Sequence, residues 1–123
     1  MEIKVTERGW AGHFICSPEC NFRRNTLLEY GEIRIVVSTV GAMLMSGKNK
    51  FEEVGLNRYY ETMAFHAKWE LDCYWEADVE REIYFDSAWM ISHINSRSDR
   101  VANDMHERVV LEIKNKLLSG EKF

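Results

Sequence analysis

The chain contains one proline, three cysteines and no excess of positive charge, and each shortage removes a class of protein. With Pro18 alone as a proline and no Ser/Gly-rich linker, low-complexity tract or internal repeat, nothing marks a domain boundary. A length of 123 residues therefore reads as one folding unit, a single domain over residues 1–123. Three cysteines are an odd number and favour reduced thiols over a disulfide framework. Sixteen Lys and Arg against twenty Asp and Glu give a charge of −4, which argues against a protein held on duplex nucleic acid by phosphate neutralisation. The longest nearly apolar run, Ile35 to Met45, is about half of the roughly 20 residues of a membrane helix. Met1 to Trp10 is charged and carries no apolar signal segment, so we expect a cytosolic protein without membrane partners.

What is abundant is apolar and aromatic. Four Trp, five Tyr and six Phe within a 46% hydrophobic chain supply a packed core. From Ile33 to Val40, Ile33, Ile35 and Val37 alternate with Arg34, Val36 and Ser38, a β-branched strand bracketed by Gly31 and Gly41. Arg58 to Ala67 has the same period of two and is rich in aromatics, which predicts a second strand. Lys4 to Ile15, with Gly9 and Gly12, predicts a hairpin or bent strand. Cys73 to Arg81 fits an edge strand as well as a short helix, and Glu82 to Ile94 reads as strand and turn with a helical start after Asp86 as the rival. Near the end, Val101, Met105, Val109, Ile113 and Leu117 recur every four residues: an amphipathic helix, capped by Ser98 or Asp99 and stopped at Gly120. The expected fold is α+β, a mostly antiparallel sheet packed by a long C-terminal helix. Its edges and aromatic faces favour at least a homodimer.

Metal and catalytic motifs are sparse. His13, Cys16 and Cys20 form H-x2-C-x3-C, with Cys73 or His66 as a conceivable fourth zinc ligand, but the second tight ligand pair is missing. Ordinary buried thiols are the better reading, and we expect no metal or other cofactor. His106-Glu107 is the most suggestive acid–base pair, yet adjacent helical positions point about 100° apart. The His-x-Ser/Thr repeat of two-histidine phosphoesterases is absent, since Ile15, Lys68, Asn95 and Arg108 follow the four histidines. No Walker loop, G-x-G-x-x-G, G-x-S-x-G or H-E-x-x-H occurs. Binding groups are better represented. Phe22-Arg23-Arg24-Asn25-Thr26 reads as a loop presenting two guanidinium groups, an amide and a hydroxyl, which suits phosphate oxygens or else a solvated turn paired to Glu29. Arg58 stands beside Tyr59 and Tyr60. The stretch from Tyr84 to Asn103 adds Phe85 as a stacking face, and Asn95, Asn103 and the adjoining Asp104 can bind sugar hydroxyls or base edges. Together these favour a pocket for a small phosphorylated, nucleotide-like ligand over a reaction centre.

The strings G-W-A-G-H-F-I-C (Gly9 to Cys16), F-R-R-N-T-L (Phe22 to Leu27), I-R-I-V-V-S-T-V-G (Ile33 to Gly41), G-L-N-R-Y-Y-E-T-M-A-F-H (Gly55 to His66) and A-N-D-M-H-E (Ala102 to Glu107) resemble the phage Thoeris anti-defence sponges. The resemblance implies a protein of the infected bacterial host's cytoplasm that binds cyclic ADP-ribose isomers made by TIR-domain enzymes and holds them without cleavage. It implies homodimers, hexamers in some members, and cyclic di- or trinucleotides at a second site. On that likeness Phe85 and Asn95 match the messenger pocket, and Arg24 and Thr26 match the second site. Two other classes stay open at this point: a small cyclic-nucleotide phosphodiesterase using His13, His66 or His106, and a plain homo-oligomeric interaction module.

Overall fold

The computed structural model describes residues 2–9, 13–14, 17–84 and 86–123. Strands β1 (Lys4–Arg8), β2 (Cys20–Tyr30), β3 (Ile33–Met43), β4 (Tyr60–Glu70), β5 (Tyr74–Tyr84) and β6 (Met90–Ile91) precede one long helix, α1 (Ser98–Leu118). The sheet is antiparallel throughout, in the order β1-β2-β3-β4-β5, with β6 also pairing with β4. This is the expected α+β architecture. Neighbours in sequence are neighbours in the sheet because short turns join them, and Gly31 at φ 60° makes the tight connection between β2 and β3.

The β-branched run in β3 alternates as its sequence requires, but both of its faces are buried from Ile35 to Met43. Ile35 and Val37 pack with Leu28, Tyr60, Ala64 and Trp89 beneath Met105, Val109, Ile113 and Leu117 of α1. Burying such a side chain contributes roughly 1.5–3 kcal/mol, so the four-residue apolar spacing of α1 holds the helix to the sheet. Val36 on the opposite face packs with Leu27, Phe65, Ala67 and Ala77. Met63 and Trp75 pack against that second core. Arg8 on β1 donates to both Asn25 Oδ1 and the carbonyl of Trp75 on β5, joining strands at opposite ends of the strand order.

Gly41 is required by packing. A Cβ there would lie 1.9 Å from Cδ2 of Tyr60, its cross-strand partner in β4, so the ring closes over the bare backbone. At the end of α1, Gly120 adopts φ 79° while its N–H and that of Glu121 donate to the carbonyls of Leu117 and Lys116. This paired closure satisfies the last helical carbonyls and confirms the expected stop.

Several local expectations change. Phe22 to Thr26 is the middle of β2 and not a loop, because its polar side chains find partners far away in sequence. Neither Ser98 nor Asp99 caps α1: Ser98 Oγ accepts from the Asn95 N–H at 2.6 Å, and Asp99 accepts from the Tyr60 hydroxyl at 2.7 Å. Cys73 closes a turn and Tyr74 onward is strand, which settles the ambiguous segment in favour of a strand. After Asp86 the helical alternative survives only as the single 3-10 turn Ser87–Trp89, whose first amides Asp86 caps. Gly12 and Ile15 of the anticipated N-terminal hairpin lie outside the described residues; Lys4–Arg8 pairs with β2. Among the described residues, no helix is long and apolar enough to cross a membrane.

Candidate functional site

The polar residues of the helix-facing side form a continuous, closed network. His106 on α1 is fully buried, with Nε2 2.7 Å from Thr26 Oγ1 on β2 and Nδ1 2.6 Å from Thr39 Oγ1 on β3. Thr26 donates its one proton to the Glu7 carboxylate at 2.6 Å, so it must accept from His106 Nε2–H. Nδ1 is then the acceptor, Thr39 donates to it, and Thr62 donates to Thr39 at 2.6 Å. Burial, reinforced by the charge of Arg24 and opposed by Glu7, lowers the imidazole's pKa to about 3, which keeps it neutral. Every polar atom of the chain Thr62–Thr39–His106–Thr26–Glu7 thus has a defined role.

Arg24 continues that network to the surface. Its Nε and Nη2 pair with Glu7 at 2.9 and 2.8 Å, and Nη1 donates to Asn103 Oδ1 at 3.0 Å and to Glu107. Burial works against the charge of Arg24, but the two carboxylates outweigh it and hold the guanidinium more firmly protonated. Burial likewise raises Glu7, while hydrogen bonds from Arg24 and Thr26 reverse the balance and keep its pKa low. The expected second-site residues Arg24 and Thr26 therefore stand together, both engaged within the chain. Asn103, expected beside the messenger, accepts here from Arg24.

A second polar cluster lies on the other face of the sheet. His13 Nδ1 is 2.6 Å from Ser38 Oγ, and its Nε2 is 3.1 Å from Glu61, whose other oxygen accepts from Arg58 Nε. Burial pushes the Glu61 carboxyl upward, and His13 and Arg58 together bring it below its ordinary range. The arrangement contains the residue types of a hydrolytic triad, but Ser38 is fully buried in the centre of β3. It positions no nucleophile toward solvent. Arg58 Nη1 also lies 3.2 Å from the Met90 sulfur.

The open site lies beside α1. Ala88, Met90, Ile91, Ser92 and His93 form one wall and Val101, Asp104, Met105 and Arg108 the other of a groove of about 420 Å³. It continues past Ala88 and Arg108 along Asp86, Trp89 and Leu111. The 3-10 turn after Asp86 holds the strand away from the helix, and Arg108 Nη2 fixes the gap by donating to the Ala88 carbonyl at 2.8 Å. Arg108 has no ion pair among the described residues, and it shares the groove and its continuation with the carboxylates of Asp104, Asp86 and Glu112. Met90, Ile91 and Met105 supply the apolar floor.

Of the expected messenger residues, Asp104 lines this groove and Arg58 touches its floor through Met90. Asn95 is exposed in the turn before α1, where its Oδ1 accepts from the Arg97 N–H at 2.8 Å. Phe85 lies outside the described residues, immediately before Asp86. Arg108, Ser92 and Met90 carry no motif in the sequence, and His93 stands there only as one of four histidines open to acid–base chemistry; the available signal for Arg108 is its opposite charge to Asp104, four residues away on the exposed side of an amphipathic helix.

The zinc reading gains no partner set. Among the described residues no three His, Cys, Asp or Glu side chains come together, Cys16 lies outside them, and Cys73 is in an exposed turn. His66 stacks edge-on against Phe123, away from His13. Comparison of the chain with protein-family models, curated proteins and solved structures finds no match.

Proposed function

We propose that the protein is a noncatalytic sponge that binds and sequesters cyclic ADP-ribose isomers made by Thoeris TIR enzymes, so that immune effectors receive no signal. The observation that carries the binding reading is the groove beside α1, where a guanidinium without an ion pair, an imidazole and a carboxylate surround a methionine-rich floor. Arg108 and His93 suit the pyrophosphate, Asp104 suits ribose hydroxyls, and Met90 and Met105 suit the face of a purine. The resemblance to phage anti-defence sponges supplies the identity of the messenger. Asn95 and Phe85 enter the proposal on the resemblance alone.

Val101 and Leu111 are exposed on either side of Asp104 and Arg108. A second copy packed antiparallel about a two-fold axis would set Val101 against Leu111 and Asp104 against Arg108, closing two grooves at once. The homodimer belongs to the proposal for that reason. Cyclic-oligonucleotide binding at Arg24 and Thr26 would require phosphate to displace Glu7 and Glu107, so the proposal rests on the groove beside α1 alone.

The test is coexpression with a TIR enzyme, purification and heat denaturation, followed by mass spectrometry of the released small molecules. Intact cyclic ADP-ribose is the expected product. A ring-opened product carrying two phosphate monoesters, formed by adding water across the pyrophosphate with multiple turnover on excess messenger, would establish the phosphodiesterase instead, and linear ADP-ribose formed with turnover would establish a glycosidic hydrolase; either would end the sponge reading. Absence of any bound nucleotide or thermal shift would favour the interaction module.

A further inference from the structure

A second cleft lies away from α1, in the connection between β3 and β4. Lys48, Lys50, Phe51, Glu52, Glu53 and Tyr59 enclose about 470 Å³, within the roughly 300–1,000 Å³ of small-molecule sites. Its walls are held by backbone. The Glu52 N–H donates to the Met43 carbonyl at 2.9 Å, the Lys48 N–H to Met45 at 3.0 Å, and the Tyr59 N–H to Ile91 at 2.8 Å. Phe51 and Tyr59 are half-buried and packed against the main core, so their remaining ring surface opens on the cleft.

The charges of the cleft are not spent on one another. Glu53 Oε2 accepts from the Asn57 N–H at 3.0 Å, turned into its own loop. Lys48 and Lys50 are exposed and have no ion pair among the described residues. Two free ammonium groups on alternate residues beside two anchored rings differ from a solvated charge run, in which opposite charges pair and no ring surface is exposed between them. The combination matches a dianionic phosphate joined to a flat aromatic group: ammonium groups take the phosphate, the rings take the base, and Glu52 can accept from sugar hydroxyls.

We infer that this cleft is a binding site for nucleoside monophosphates, separate from the groove beside α1. The probe is adenosine 5′-monophosphate, titrated into the uniformly ¹⁵N-labelled full chain and followed by NMR. Amides from Lys48 to Glu53 and at Tyr59 should shift with a dissociation constant below about 1 mM. Adenosine and ribose 5-phosphate, each lacking one half of the recognised group, should bind at least about tenfold more weakly. The double variant Lys48→Gln/Lys50→Gln, altered only at exposed positions, should keep its melting temperature and lose about tenfold in affinity. Tyr59→Leu, which retains apolar packing, should weaken the nucleotide while leaving ribose 5-phosphate unchanged.

Equal affinity for ribose 5-phosphate and the nucleotide would reduce the cleft to simple charge attraction and overturn the inference. So would unchanged affinity in the double variant, or no shift in the Lys48–Tyr59 segment. Shifts confined to residues 88–108 would overturn it too while leaving the proposed function standing.

Discussion

Two clusters of one histidine and one arginine flank the same stretch of α1, and they differ in what their polar atoms are bonded to. In the first, His106 is sealed between Thr26 and Thr39, and Arg24 divides its guanidinium between Glu7 and Glu107. In the second, His93 and Arg108 stand at an open groove, and among the described residues Arg108 bonds to the Ala88 carbonyl alone. The same side-chain types serve structure where the chain itself satisfies them and suit ligand binding where it does not. The first cluster joins α1, β1, β2, β3 and β4; the second lines a surface.

The contrast is broken most severely at His106. Replacing it with Leu strands the Thr39 proton and one Thr26 lone pair in the core, and should cost about 3 kcal/mol of stability, measured by urea unfolding. A loss below about 1 kcal/mol would show that the network is incidental. The same residue sets an acid limit. The imidazole is neutral in the folded chain down to about pH 3 but takes up a proton near pH 6.5 once unfolded. Stability is therefore complete above pH 6.5 and falls as the pH drops toward 3, because the unfolded chain binds the extra proton. His66, lowered by burial and by Arg81, adds in the same direction. Between pH 7 and 5 the native chain should lose stability, and His106→Leu should flatten most of that slope; an unchanged slope would refute the assignment.

Arg108→Gln sharpens the comparison from the other side. Loss of a charge-assisted contact worth roughly 1.5–3 kcal/mol should weaken messenger binding about ten- to hundredfold, with the melting temperature little changed. An equal loss of stability would place Arg108 with the structural cluster. The smallest effect concerns Gly120→Ala, which forces a side chain into φ 79° and should cost about 1 kcal/mol in thermal unfolding without touching affinity.

How much of this was legible in the sequence depended on the range of the interactions. The helix could be read because Met105, Val109, Ile113 and Leu117 share a local period, with Val101 of the same stripe left exposed, and β3 because its β-branched residues alternate. Strand β2 was opaque. Arg24, Asn25 and Thr26 look like a turn until their distant partners are seen: Glu107 on α1 for Arg24, Arg8 on β1 for the Asn25 Oδ1, and His106, 80 residues on, for Thr26. The groove is hardly visible in the sequence: Arg108 and His93 acquire meaning only when the 3-10 turn after Asp86 sets one wall opposite the face of α1 that carries Asp104.

Hydrogen exchange with and without cyclic ADP-ribose locates the bound messenger most directly. The account predicts protection concentrated in the amides from Asp86 to His93 and from Val101 to Leu111, with the strands around His106 unchanged. Protection absent from both segments, or confined to the Arg24 side of the helix, would contradict it.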